Sequence, residues 1–159
     1  MAKIGVIGAG SWGIALSVLL SNNGHSVKVW SIIEEEIKML NEHHEHKDKL
    51  PGVILSDRIT FTTNLQEAIE GMDLLVMAVP SPFVRKTASD MKAFVKEGQI
   101  IVNVAKGIEE TTLMTLSQII EEEVPQAEVT VLSGPSHAEE VGRGIPTDRK
   151  STRLNSSHQ

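Results

Sequence analysis

Short apolar runs alternate along this chain with longer stretches whose apolar positions recur at helical spacing. The runs Lys3–Ile7, Ser26–Trp30, Ile59–Thr62, Leu74–Val79, Gln99–Val104 and Glu128–Leu132 predict strands. Between them, Ser11–Asn23, Glu34–His44, Leu65–Glu70, Phe83–Val95 and Thr112–Glu123 predict helices. Gly24, Gly71 and Gly98 each stand just past a helix, where a left-handed cap residue is wanted. Glu34, Glu35 and Glu36 open the second helix, where the positive end of its dipole favours them. Leu74–Val79 is apolar at every position, as a parallel strand covered on both faces must be. The repeated strand–helix–strand order predicts an α/β fold, a doubly wound parallel sheet.

The first strand runs into Gly8-Ala9-Gly10-Ser11-Trp12-Gly13 and then directly into a helix. That is G-x-G-x-x-G in the context that gives it meaning. Gly8 permits the tight turn, Gly10 lets backbone approach a pyrophosphate, and Gly13 lets helix and strand pack closely. The free N–H groups and the dipole at the helix start attract phosphate. A purely structural turn is the competing reading of the same glycines.

Ligands of such sheets bind beyond the carboxyl ends of the strands. Four unusual segments follow strands and so share that edge: Gly8–Gly13, Val79-Pro80-Ser81-Pro82-Phe83, Ala105-Lys106-Gly107 and Ser133–Ala138. Lys106 at a strand end either points its ammonium into the cleft, toward phosphate or a carbonyl oxygen, or is simply solvated. Gly134 and Ser136 form either a second anion-binding turn or an N-cap box with Glu139. Phe83 walls the cleft or anchors the next helix; Trp12 shields a cofactor or fills a packing gap. Glu121, Glu122 and Glu123 oppose the dipole of their helix and read as a solvated face. His43, His44 and His46 are the one cluster with metal-like spacing. Their polar surroundings favour a solvated helix over a metal site.

Composition narrows the classes. The chain has 159 residues, 40% of them hydrophobic, so one globular domain with a sizeable core is expected. It has no cysteine, which excludes disulfides, thiolate chemistry and a cysteine metal site. A formal charge of −6 and 3% aromatic residues disfavour nucleic acid and anionic membrane surfaces as partners. No apolar run approaches the ~18 residues of a membrane span. A strand at the N-terminus leaves no room for a signal peptide, so a cytoplasmic location is expected. Neither G-x-x-x-x-G-K-[ST] nor G-x-S-x-G occurs, which sets aside P-loop hydrolases and α/β-hydrolases.

Taken with Leu50-Pro51-Gly52, Ala78-Val79-Pro80-Ser81, Ala105-Lys106-Gly107-Ile108-Glu109 and Leu132-Ser133-Gly134-Pro135-Ser136-His137-Ala138-Glu139-Glu140-Val141, the glycine turn resembles bacterial-type NAD(P)-dependent glycerol-3-phosphate dehydrogenase. The last of these motifs is the most specific. The resemblance covers Met1 to about Thr147 and implies a Rossmann-type domain at 1–147. It implies reduction of dihydroxyacetone phosphate to sn-glycerol 3-phosphate for phospholipid synthesis, with NAD or NADP as cofactor. It places cofactor contacts at Gly8, Gly10, Ser11, Trp12, Gly13, Ile33, Phe83, Lys106 and Ala138, and substrate contacts at Lys106, Gly134 and Ser136. It implies no metal, and a homodimeric full-length enzyme. The family's general acid/base lysine belongs to a helical C-terminal domain, so no catalytic residue is expected in this chain. A stand-alone dinucleotide-binding module, or another Rossmann reductase acting on a small keto substrate, are the alternatives.

Two departures from the family stand out. Family members often carry Arg or His just after the second strand, where this chain has Ser31-Ile32-Ile33. Without that basic residue a 2′-phosphate lacks its partner, which leans the cofactor toward NAD. Lys49 stands where the family often has Tyr or Arg. Beyond Thr147 the string Asp148–His158 resembles one reading frame of a common short-read sequencing adapter. Residues 148–159 are therefore expected to be a disordered, non-native tail, and the chain an inactive fragment ending before the helical domain.

Overall fold

The computed structural model describes residues 1–133 and 150–153 of the chain. Its strands are β1 (Lys3–Ile7), β2 (Ser26–Trp30), β3 (Ile59–Thr62), β4 (Leu74–Met77), β5 (Ile100–Asn103), β6 (Glu128–Ser133) and β7 (Lys150–Arg153). The helices between them are α1 (Ser11–Asn22), α2 (Glu34–His43), α3 (Leu65–Ile69), α4 (Val84–Met91) and α5 (Leu116–Glu123). The sheet order is β3-β2-β1-β4-β5-β6-β7. Every pairing from β3 to β6 is parallel; β7 alone is antiparallel, against β6.

The expected doubly wound sheet is therefore present, with its order reversing between β1 and β4. Strand side chains alternate between two apolar layers. Val76 of β4 joins α1 and α2 through Ile14, Leu16, Ile37 and Leu40. Leu75 and Met77 point the other way, to α3, α4 and α5 through Ile69, Val84, Met91, Ile119 and Ile120. This is why β4 is apolar at successive positions.

Three expectations need correction. Residues 148–159 were expected to lack packed structure, yet Lys150–Arg153 form β7, with Val131 opposite Thr152. An edge strand offers a row of unpaired N–H and C=O groups to any extended segment, and β6 is such an edge. The last predicted helix does not begin at Thr112: α5 begins after Thr115, whose hydroxyl accepts from the Gln118 N–H while the Gln118 side chain accepts from the Thr115 N–H. That capping box fixes the start, and Leu113 just before it has φ 61, incompatible with a right-handed helix. The helix expected from Phe83 is preceded by a 3-10 turn at Ser81–Phe83 and ends at Met91.

Candidate functional site

The parallel register sets the geometry of the site. Trp30, Ile7, Met77, Asn103 and Val131 are paired in sequence across the sheet, one level on five adjacent strands. The segments after β1, β4 and β5 therefore emerge together at the carboxyl edge, as anticipated. The segment after β6, with Gly134, Ser136 and Ala138, lies outside the described residues.

The three glycines of the first turn differ in what surrounds them. Gly8 has φ 124, and a Cβ there would stand 2.7 Å from the backbone of Ala78 and Val79. A Cβ on Gly13 would collide with the carbonyl oxygen of Gly8. A Cβ on Gly10 would meet nothing within 4 Å. Two glycines are thus required by packing, while the third faces open space at the helix start. Gly10 is the N-cap of α1 and supplies no side chain to it, and the first turn carries no acidic residue. The first intrahelical bond is Ile14 N–H to Gly10 O at 2.9 Å, so the preceding N–H groups of Ser11, Trp12 and Gly13 have no backbone acceptor among the described residues. A cradle of free amides beside a bare backbone fits a dinucleotide pyrophosphate. Trp12 is half-buried against the α1-side core, which supports its packing role.

Across the crevice, Pro80 accepts from the Phe83 N–H at 2.9 Å in the tight turn after β4, and Phe83 is 59% exposed. Lys106 is exposed, and its ammonium has no hydrogen-bond partner among the described residues. The chain reversal ahead of it is built by Asn103. That buried side chain accepts from Ala105 N–H at 3.0 Å and donates to Ala105 O at 3.1 Å and to Ser117 Oγ at 3.0 Å. A cavity of about 310 Å³ is lined by Ser81 and Pro82 from the turn after β4 and by Ile108–Thr111 from the loop after β5.

The end of β2 differs from the sequence expectation. Ile32 and Ile33 are exposed. Glu36 is buried beneath them. It accepts from Ser31 Oγ at 2.7 Å, His46 Nε2 at 2.7 Å and Lys49 Nζ at 3.0 Å. Burial is the largest single influence and raises its pKa. The hydrogen bonds from His46, Ser31 and Lys49, with the Lys49 charge, together outweigh it and hold the carboxyl below its ordinary range. His46 is thus a core residue, and the reading of the histidine cluster as a solvated face holds only for His43. His44 caps α2 in the left-handed region and packs edge-on against Phe61. Lys49 is tied to Glu36 rather than free.

Sequence reasoning also missed Arg85. Its guanidinium binds Glu109, Glu122 and Glu123, so the acidic end of α5 is paired and not merely solvated. No local pattern announces bonds spanning 24 to 38 residues of chain. Gly5 was missed as well; a Cβ there would collide with the Ala68 carbonyl, so α3 needs this glycine to lie against β1.

The strand order, the glycine turn and the bare start of α1 define a Rossmann-type dinucleotide-binding domain. Residues 3–157 match the model described as NAD-dependent glycerol-3-phosphate dehydrogenase N-terminus, and the chain belongs to that family. It is 66% identical over 147 residues to glycerol-3-phosphate dehydrogenase [NAD(P)+] of Agathobacter rectalis, an alignment covering 92% of this chain and 44% of that protein. It is 52% identical over 149 residues to the protein of the same name from Fusobacterium nucleatum, with the same coverages of 92% and 44%. The crystal structure of glycerol-3-phosphate dehydrogenase from Coxiella burnetii superposes with a TM-score of 0.90 at 27% identity, covering 99% of this chain and 48% of that one. The chain therefore spans less than half the length of the curated relatives it matches.

Proposed function

We propose that this chain is the cofactor-binding half of a glycerol-3-phosphate dehydrogenase. The observation that carries the reading is the contrast among the three turn glycines. Gly8 and Gly13 are sealed by packing, while Gly10 opens onto space beside free amides at the head of α1. In this reading Gly8, Gly10, Ser11, Trp12 and Gly13 hold the pyrophosphate of NAD or NADP, Ile33 borders its adenosine, and Phe83 and Lys106 stand at the nicotinamide end. Ala138 completes the cofactor contacts. The nicotinamide supplies the hydride. Lys106 contributes a cation where negative charge grows on the carbonyl oxygen of dihydroxyacetone phosphate, and Gly134 and Ser136 contact that substrate. The product is sn-glycerol 3-phosphate, a lipid precursor.

The relatives' remaining length leaves room for the general acid/base that the domain 1–147 does not supply. The whole enzyme is a cytoplasmic homodimer in this reading. Among the described residues no helix is long and apolar enough to cross a membrane. Calorimetric titration of the chain with NADH tests the cofactor half, and an NADH-absorbance assay with dihydroxyacetone phosphate tests the rest. Saturable NADH binding without turnover is expected. Absent binding overturns the cofactor role; turnover by this chain overturns the assignment of the acid/base to the part of the relatives that this chain does not span.

A further inference from the structure

Arg85 joins two loops of the proposed cofactor edge. It lies in the first turn of α4, two residues beyond Phe83. Its Nε donates to Glu109 Oε2 at 2.7 Å and its Nη2 to Glu109 Oε1 at 2.9 Å, a two-pronged pair. Its Nη1 donates to Glu122 at 2.7 Å and to Glu123 at 2.6 Å. Glu109 is three residues past Lys106, and between them Ile108 forms an isolated antiparallel bridge with Thr115. Gly107 sits in that stretch at φ 119, open to solvent. Glu109 is itself fixed: Thr112 Oγ1 donates to its carboxylate at 2.7 Å, and its backbone bonds both Leu113 and Met114. Leu113 has φ 61, a conformation a branched residue keeps only where its surroundings hold it. The loop is thus pinned before Lys106 by Asn103 and after it by the Ile108–Thr115 bridge and by the side-chain fork of Arg85 on Glu109.

We infer that Arg85 is a positioning residue: through its fork on Glu109 it sets where Lys106 stands relative to Phe83. This rests on the proposed cofactor site. Packing of α4 on α5 does not require the ion pairs, because Val84, Ala88 and Met91 already share an apolar cluster with Leu116, Ile119 and Ile120. The fork therefore acts chiefly on the loop. A lysine in its place keeps one charge but cannot span both oxygens of Glu109 while holding α5.

The test uses the 159-residue chain with R85M, R85K and E109Q. Amide hydrogen exchange is followed without cofactor, and NADH affinity is measured by calorimetry. R85M is expected to speed exchange of the Ile108–Met114 amides at least tenfold while β4 and β5 keep their protection, and to weaken NADH about tenfold, with R85K intermediate. Unchanged exchange in the loop, or acceleration spread evenly over the sheet, overturns the inference, as does NADH affinity that stays constant while the loop loosens. Should R85M fail to fold, E109Q removes the same anchor at constant shape and must reproduce the loop effect. If the unsubstituted chain binds no NADH, the functional reading fails; the exchange data still decide whether Arg85 holds the loop.

Discussion

The carboxylate of Glu36 and the imidazole of His46 meet at 2.7 Å beneath the end of β2, both almost fully buried. The other ring nitrogen of His46 accepts from the Lys49 N–H at 3.3 Å, so in the neutral ring the proton sits on Nε2 and is donated to Glu36. The pair ties α2 to the crossover that carries Leu50, Val53 and Leu55 into the core. Removing one partner leaves the other buried without its bond. Glu36→Ala is expected to lower the free energy of unfolding by about 3 kcal/mol. Urea denaturation monitored by circular dichroism measures this; a loss below about 1 kcal/mol, the range of exposed pairs, contradicts it.

The Arg85 cluster predicts an acid transition in the loop after β5. Hydrogen bonding from Arg85, with a further bond from Thr112, holds the Glu109 carboxyl down at about 2, against an ordinary 4.5. A depressed carboxyl stabilises the folded loop fully above its unfolded value. That contribution is lost as pH falls from about 4.5 toward about 2. The Glu109 carboxyl carbon, followed by NMR, should titrate well below those of solvated glutamates. A midpoint at the ordinary value would show that the fork does not persist in solution.

What was legible in the sequence was periodic or local. The six parallel strands follow from short apolar runs, and the sharing of one edge follows from their being parallel. The tasks of Gly8 and Gly13 follow from a turn squeezed between β1 and α1. What escaped notice was tertiary. Glu36 looks like a dipole-favoured residue of a helix start until the crossover folds His46 and Lys49 over it. Glu122 and Glu123 look solvated until α4 brings Arg85 beside them. Asn103 is an ordinary polar residue in the sequence, and its role appears only when Ala105 turns back onto it. The start of α5 was mislaid because Thr112 and Thr115 both offer a capping hydroxyl and both accept from an N–H, Met114 for the first and Gln118 for the second, but Leu113 at φ 61 breaks the chain between them and only Thr115 completes a capping box.

Cofactor choice follows from the end of β2. Ser31 and Glu36 are bonded to one another, so neither is free for a ribose 2′-hydroxyl. Ile32 and Ile33 offer no cation to a 2′-phosphate. NADH is expected to bind more tightly than NADPH. Ile33→Arg, at an exposed position, should raise NADPH affinity relative to NADH about tenfold, the effect of one charge-assisted hydrogen bond of about 1.5 kcal/mol. Parallel calorimetric titrations decide it. A strong preference of the unsubstituted chain for NADPH would reverse the argument and assign the 2′-phosphate to another cation, with Lys49 the first to examine.

The three turn glycines separate folding from binding. Gly13→Ala forces a methyl group against the Gly8 carbonyl, and Gly8→Ala adds both a backbone clash and an unfavourable φ. Each should cost about 1–3 kcal/mol of stability, the usual range for overpacking. Gly10→Ala meets no atom within 4 Å and has φ −73, open to any residue, so stability should stay within about 0.5 kcal/mol. The methyl group would instead occupy the space proposed for the pyrophosphate, and NADH affinity should fall at least tenfold. Thermal melts and NADH titrations of the three variants separate the effects. If Gly10→Ala binds NADH as well as the unsubstituted chain, the open face of α1 is not where the dinucleotide lies, and the turn is only a turn.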